Sequence, residues 1–273
     1  MKTLRFQNTD TEKSFKPLHA TNGGPWTKRP RDASLRSNFL EFEAAKLPFV
    51  RNHDSNLAGH NVYGAPFVHD IHVLFPDFDA DENDPASYDF ACTDDNVLTC
   101  LDAGSETFFR LGESIEHQVK KHTTIPPKDF AKWARICEHV IRHYNEGWAD
   151  GFHYDIEYWE IWNEPDDGMR ISQMWNGTAE DYYRLYDVTS KHLKAKFPNI
   201  KVGGFASCGF YAISNQLLGR QSINGGVREQ YFLDFFHGFM KYIKAHNSPI
   251  DFFSFHTYSN PKELLIQANY LGQ

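Results

Sequence analysis

Tyr158-Trp159-Glu160-Ile161-Trp162-Asn163-Glu164-Pro165 is an apolar, aromatic-rich run that breaks off in Asn-Glu-Pro. Such a run reads as a buried strand. It stops at the proline, which has no N–H to give to a sheet ladder. The last strand residue is then a carboxylate at the mouth of a sheet. With Trp159, Trp162 and Pro165 around it, Glu164 is expected in a partly apolar setting, which favours the protonated form that a general acid needs near neutral pH. A solvated glutamate that merely ends a strand fits the same residue types and spacing.

Working outward, strand-like and helix-like runs alternate along the whole chain. A first strand is expected near Lys16–Ala20, with Thr21–Pro25 as its turn, and Asp32 as the cap of a helix carrying Leu35, Phe39 and Phe42. Pro48–Asp54 reads as a second strand, Thr93–Ala103 as a helix closed by Gly104, and Glu106–Gly112 as a third strand. Pro126 and Pro127 are expected to start a helix with Trp133, Cys137, Val140, Ile141 and Tyr144 on one stripe, and Gly147 to end it. Thr178 and Asp181 form a capping box ahead of a helix that Pro198 stops. Lys201–Ala206 reads as a fifth strand, followed by a helix with Phe232, Phe236, Phe239 and Ile243. Asp251–Tyr258 reads as a sixth strand, and Asn260-Pro261 opens a last helix. Alternation of this kind means a parallel sheet covered by helices. In such folds functional groups gather at the C-terminal ends of the strands.

Composition narrows the function classes. A net charge of −8 leaves no basic excess to neutralise phosphates, so a nucleic-acid partner is not expected. No run of 18 apolar residues exists for a membrane span. Met1–Phe15 is polar and lacks the apolar core of a secretion signal, so a cytoplasmic location is expected. Cys92, Cys100, Cys137 and Cys208 show no metal-like spacing and read as free thiols. Asn176-Gly177-Thr178 matches a glycosylation acceptor by chance in that setting. Aromatic residues make up 15% of the chain, 23 of them Phe; most must be core, and a minority suits the C–H faces of sugar rings.

Several clusters carry no chemistry on this reading. His69 and His72 have no third ligand nearby and read as surface histidines. Asp77, Asp79, Asp81 and Asp84 lack the glycine and terminal glutamate of a calcium loop and read as a solvated loop. Gly203-Gly204 is not a phosphate loop. Neither a metal nor a cofactor is expected. The strand ends hold the stronger signal. Period-two alternation puts Phe49, Arg51 and His53 on one face, and Ser254, His256 and Tyr258 on one face with Phe253 and Phe255 behind them. Arg51, His53, Glu164, His256 and Tyr258 thus all fall at strand ends. Strict alternation sets Asn163 opposite Glu164, so both face one cavity only if the chain bends there.

Trp162-Asn163-Glu164-Pro165 ending a fourth strand resembles the acid/base motif of the retaining glycosidases of clan A, and glycoside hydrolase family 39 in particular, which holds β-xylosidases and α-L-iduronidases. His19–Pro25 resembles that family's first-strand turn, Val50–Asp54 its second-strand motif, and Ser254–Ser259 its sixth strand. The resemblance runs from about Leu18 to Ser259. It implies an α/β fold of (β/α)8 TIM-barrel type, with a single domain over residues 1–273 that contains about six units and stops before the seventh strand. It implies that Glu164 is the general acid/base, that Asn163 bonds the sugar 2-hydroxyl, and that Arg51, His53, His256 and Tyr258 line the sugar site. The partner is then an oligosaccharide or aryl glycoside. Retaining chemistry needs a second carboxylate about 5 to 5.5 Å from the first. The family places that nucleophile on a seventh strand, which is expected to lie beyond the six read here. A sugar-binding barrel fragment without turnover is the rival expectation, and a metal-dependent hydrolase built on the histidines a weaker one.

Overall fold

A computed structural model describes residues 19–25, 37–55, 67–168, 172–222 and 226–273. Six parallel strands form one sheet: β1 (Thr21–Asn22), β2 (Phe49–Asn52), β3 (Glu106–Leu111), β4 (Tyr158–Ile161), β5 (Lys201–Ser207) and β6 (Phe252–Phe255). Each strand pairs with the next in sequence, in the order β1-β2-β3-β4-β5-β6. Parallel neighbours need a crossover, and crossovers are right-handed. Strictly sequential order therefore puts every connecting helix on the same side. That is the winding of a barrel, not of a doubly wound open sheet.

The connecting helices are α1 (Phe39–Ala45), α2 (Ile71–Leu74), α3 (Ala91–Asp102), α4 (Phe130–Glu146), α5 (Ala179–Lys196), α6 (Tyr211–Leu217), α7 (Val227–His246) and α8 (Pro261–Leu271). The expected start and stop signals explain most of their ends. Gly147 closes α4 with φ 76°, and the Thr178–Asp181 capping box opens α5 with both reciprocal bonds in place. Pro126 and Pro127 lie ahead of α4 rather than in its first turn. The Asp129 side chain accepts from the Lys132 N–H and caps the helix instead. The first strand also differs from expectation. Thr21–Asn22, read as a turn, is the strand, and most of Lys16–Ala20 lies outside the described residues, as does Asp32.

Helix-facing strand residues build the core. Phe109, Leu111, Trp159, Ile161, Val202 and Phe205 are buried together with Trp133, Ile136, Val140 and Tyr144 of α4, Tyr182 and Tyr186 of α5, and Phe235 and Phe239 of α7. Tyr182 reaches the sheet itself, where its hydroxyl donates to the Ile161 carbonyl at 2.8 Å. On the opposite face, the rings of Phe49, Phe108, Tyr158 and Phe252 touch one another with centroids 5.1 to 5.9 Å apart. Among the described residues, β1 and β6 each pair on one side only, the edge exposure expected of six units. No described helix is long and apolar enough to cross a membrane.

The four cysteines are free, and Cys100, Cys137 and Cys208 are buried. The acidic loop behaves as expected: Asp81 bonds Asn83, Asp84 caps a short 3-10 turn, and Asp79 pairs with exposed Lys128. His69 is not a surface residue. It is fully buried, with its Nε2 2.7 Å from Asn96 Oδ1 and 3.0 Å from Asn52 Nδ2, and burial lowers its pKa to about 3. Asn176 is a structural residue: its amide nitrogen donates to Thr124 and to the Ser172 carbonyl. Trp159 stacks on Phe109 with no exposed surface. Trp159→Ala is expected to lower unfolding free energy by about 3 to 5 kcal/mol, as read by urea denaturation followed by far-UV circular dichroism.

Candidate active site

The strand that decides the site ends earlier than its sequence suggests. β4 stops at Ile161, three residues short of Glu164. Trp162 turns into the left-handed region with φ 71°, and Glu164 does so again with φ 45°. Two such non-glycine residues cost on the order of 1 to 3 kcal/mol each, so surrounding contacts must hold them. The Trp162 N–H donates to the Leu111 carbonyl at 2.6 Å, and the Glu164 N–H to the Phe205 carbonyl at 3.0 Å. Gly112, at φ 141°, lets the Trp162 backbone approach so closely that a Cβ there would sit 3.1 Å from the Trp162 Cα. The Trp162 indole turns away into the helix layer, donates to the Met174 carbonyl, and packs on Trp133 and Trp175. Trp159 is likewise core. The tryptophans thus do not wall the Glu164 carboxyl, contrary to the expectation from their spacing.

The bend splits the two neighbours in different directions. Asn163 turns down to Arg51: its Oδ1 accepts from Arg51 NH2 at 2.7 Å. Arg51 also places Nε and NH2 on Glu160 Oε2, at 2.8 and 2.5 Å, and NH1 on Asn22 Oδ1 at 3.0 Å. The other oxygen of Glu160 accepts from the Ser254 hydroxyl at 2.7 Å. Glu160 is 0% exposed and the Arg51 side chain 17%. Glu160 is absent from the expected site, yet the sequence held a signal for it. A lone carboxylate within an apolar strand must find a partner, and alternation puts it on the face opposite Trp159.

Glu164 turns the other way, to His256. Nδ1 of His256 lies 2.6 Å from Glu164 Oε1, both side chains partly buried. His256 follows the end of β6, where its N–H donates to the Ser207 carbonyl at 2.7 Å. Ser254 and His256 do share a face. Tyr258 stands beyond them, 88% exposed, with its N–H on the Tyr211 hydroxyl. His53 also lies past its strand, where its N–H donates to the Arg51 carbonyl and its Nε2 is 3.3 Å from Asp54 Oδ1. Burial, then the charges of Arg51, Arg110 and His256, hold the His53 imidazole well below its ordinary pKa. It is therefore a neutral side chain at the edge of the Arg51–His256 group.

Two aspartates behind Glu164 fasten the turn. Asp166 is fully buried and accepts from the Ser207 hydroxyl at 2.7 Å and from the Cys208 N–H at 3.1 Å. Burial pushes its carboxyl up to about 7 against those bonds. Asp167 accepts from Arg228 at 2.6 Å through one oxygen, and from the Ser172 hydroxyl and Gln173 N–H through the other. Among the described residues, two groups of side chains bring metal-type donor atoms within 4.8 Å of one another: Asp70, His72 and Glu113, and Glu164, Asp167 and Cys208. Asp70 is committed to Arg110 and Ser114, His72 to Glu113, Asp167 to Arg228, and Glu164 to His256. The oxygen and nitrogen donors named here are thus already engaged with other side chains.

Comparison with known proteins supplies the family. A profile of glycosyl hydrolases family 39 matches residues 67–271. A β-xylosidase of Geobacillus stearothermophilus is 28% identical over 143 residues, which cover 51% of this chain and 23% of that protein. A glucosidase structure from Croceicoccus marinus aligns with a TM-score of 0.66 at 28% identity, over 87% of this chain and 43% of the other. A monomeric β-xylosidase structure from Caulobacter crescentus aligns at 0.51 and 19% identity, over 88% and 41%, and shares the fold. The chain thus spans about a quarter of the curated relative and under half of each solved structure.

Two variants test the geometry. Glu160→Gln removes the counter-charge of Arg51, and a loss of about 3 kcal/mol in unfolding free energy at pH 7 is expected by urea titration. For Asp166 the sign runs through the raised carboxyl. The folded-state value of about 7 lies above the ordinary 3.8, so its contribution is full below about pH 4 and is lost as pH rises through about 7. Asp166→Asn is expected to flatten the fall in melting temperature between pH 4 and 8; an unchanged fall would assign it to other groups.

Proposed function

Because the chain belongs to glycosyl hydrolases family 39, we propose that it carries the acid/base side of a retaining glycosidase site acting on β-xyloside-type substrates. The observation that carries this reading is the pair formed by Glu164 and His256 at 2.6 Å, beside an Asn163 amide that Arg51 holds in place. In the first step Glu164 gives its proton to the glycosidic oxygen. In the second it takes a proton from water. His256 holds the carboxyl in one orientation and offers a partner for it in either protonation state. Asn163 keeps its amide N–H2 for a sugar hydroxyl, because its carbonyl oxygen is already taken by Arg51. His53 and exposed Tyr258 lie on the two flanks as substrate contacts.

The nucleophile belongs to the same proposal. Asp167 has an oxygen within 4.8 Å of Glu164, but both of its oxygens are occupied in holding the turn, which suits an anchor and not an attacking group. We read the chain as the first six units of a single barrel domain, with the attacking carboxylate supplied by a strand following β6. A β-xylosidase and a glucosidase among the relatives support glycosides as the substrate class.

A protein containing these six units and the strands that follow them gives the test. Glu164→Gln is expected to slow xylobiose hydrolysis by about 10²- to 10⁴-fold, the usual worth of a general acid. Release of 2,4-dinitrophenol from its β-xyloside needs no protonation of the leaving group. Its first step is expected to change far less in a pre-steady-state burst. Equal losses on both substrates would remove the acid role. Calorimetric heat with xylo-oligosaccharides but no turnover in the intact protein would favour a sugar-holding barrel instead.

A further inference from the structure

Away from Glu164, the loop after β3, helix α2 and the start of α4 enclose a cavity of about 180 Å³. Its lining is mainly apolar, with Phe75, Phe78, Trp133, Trp162 and Ile125, and it also carries Lys128 and His122. One end is polar. There the His72 Nδ1 and main-chain N–H both meet the Glu113 carboxylate, whose side chain is only 6% exposed. We propose that this cavity is a second binding site, which takes a neutral, single-ring phenolic ligand with its ring among the aromatic walls and its hydroxyl on the His72–Glu113 pair.

The shape and the chemistry of the lining choose that class. Two indoles and two phenyl rings offer faces and edges to a flat ring, and the volume holds one ring with its substituent, not a disaccharide. A pyranose would bury several hydroxyls against carbon, each at the cost of an unmade hydrogen bond. A purely apolar ring would strip water from the carboxylate–imidazole pair and return nothing. One hydroxyl matches one polar end. Each Glu113 oxygen accepts one bond from His72 and keeps a further lone pair. Burial raises the Glu113 carboxyl above its ordinary range against the pull of His72. A charged ligand would lose its hydration among these aromatic walls. The site is independent of the glycosidase reading, although Trp162 lines it and immediately precedes Asn163 and Glu164.

Phenol and toluene titrated into this chain, followed by two-dimensional NMR of the tryptophan indole N–H groups, test the idea. Phenol is expected to shift the Trp133 and Trp162 signals saturably, with a dissociation constant on the order of 1 mM for so small a ligand. Toluene, which has the same size and no hydroxyl, is expected to bind about fivefold or more weakly. Ile125→Trp fills the cavity mouth and is expected to weaken phenol about tenfold. No saturation up to about 20 mM phenol overturns the proposal. So does toluene binding as tightly as phenol, or nuclear Overhauser contacts from phenol to side chains other than those of this cavity. The toluene and Overhauser arms use the unmodified chain, so they decide the matter even if Ile125→Trp does not fold.

Discussion

A carboxylate with no exposed surface lies at the centre of this molecule, and the guanidinium of Arg51 is what makes that tolerable. An unpaired buried Glu160 would be costly enough to unravel the strand that carries it. Instead one oxygen takes two N–H groups of Arg51 and the other takes the Ser254 hydroxyl. The remaining donors of Arg51 go to Asn22 and Asn163. Side chains from β1, β2, β4 and β6, together with the turn after β4, therefore meet on one ion pair. None of these strands can slide by a residue without uncovering charge. The orientation of Asn163, on which the reading of the site leans, is a by-product of satisfying Glu160.

The second constraint is the chain reversal after Ile161. A regular strand would send Asn163 and Glu164 to opposite faces. Two left-handed residues resolve this: Asn163 drops to Arg51, while Glu164 swings to His256. The strain is offset by contacts that would otherwise look unrelated to chemistry. The Trp162 ring is wedged between Trp133 and Trp175, Asp166 is bound to the end of β5, and Asp167 is clamped by Arg228. Buried aromatic packing on the helix side thus sets the direction of a carboxylate on the other side of the sheet.

This division explains what could be read from the sequence. Apolar runs, their spacing and the signals at Gly147 and Thr178 follow from local rules, and they mark β2 to β6 with helices between them, whereas β1 falls on Thr21–Asn22, which reads as a turn. The bounds of the strands at the site did not follow. Pro165 sets only the furthest point a strand can reach, whereas β4 ends where its neighbour β3 runs out at Leu111 and Gly112 lets Trp162 turn. That is a tertiary event with no local mark. The same holds for β6, which stops at Phe255 ahead of His256. Helix α6, seven residues of mixed polarity, has no stripe to announce it. His69 reads as a surface histidine because its partners, Asn52 and Asn96, are distant in sequence. Glu160 is different: a charge within an apolar strand is a local mark that calls for a partner.

The register of the sheet accounts for the choice of arginine at position 51. Arg51 lies level with Phe108 on β3, and Phe108 lies level with Tyr158 on β4, so Glu160 stands two residues further up its strand than Arg51 does on its own. A side chain from β2 must therefore climb past the aromatic rings of Phe108 and Tyr158 to reach the carboxylate. The long arm of arginine spans that stagger, and its planar fork then serves Glu160, Asn163 and Asn22 at once. A lysine ammonium is compact, strongly hydrated and without the flat fork, and it would leave at least one of those oxygens unbonded. The rings below, Phe49, Phe108, Tyr158 and Phe252, pack on one another as a half-buried aromatic layer beneath the pair. The interior thus grades from aromatic to ion-paired to titratable along the strand direction. Glu164 stands at its upper end, above that aromatic layer.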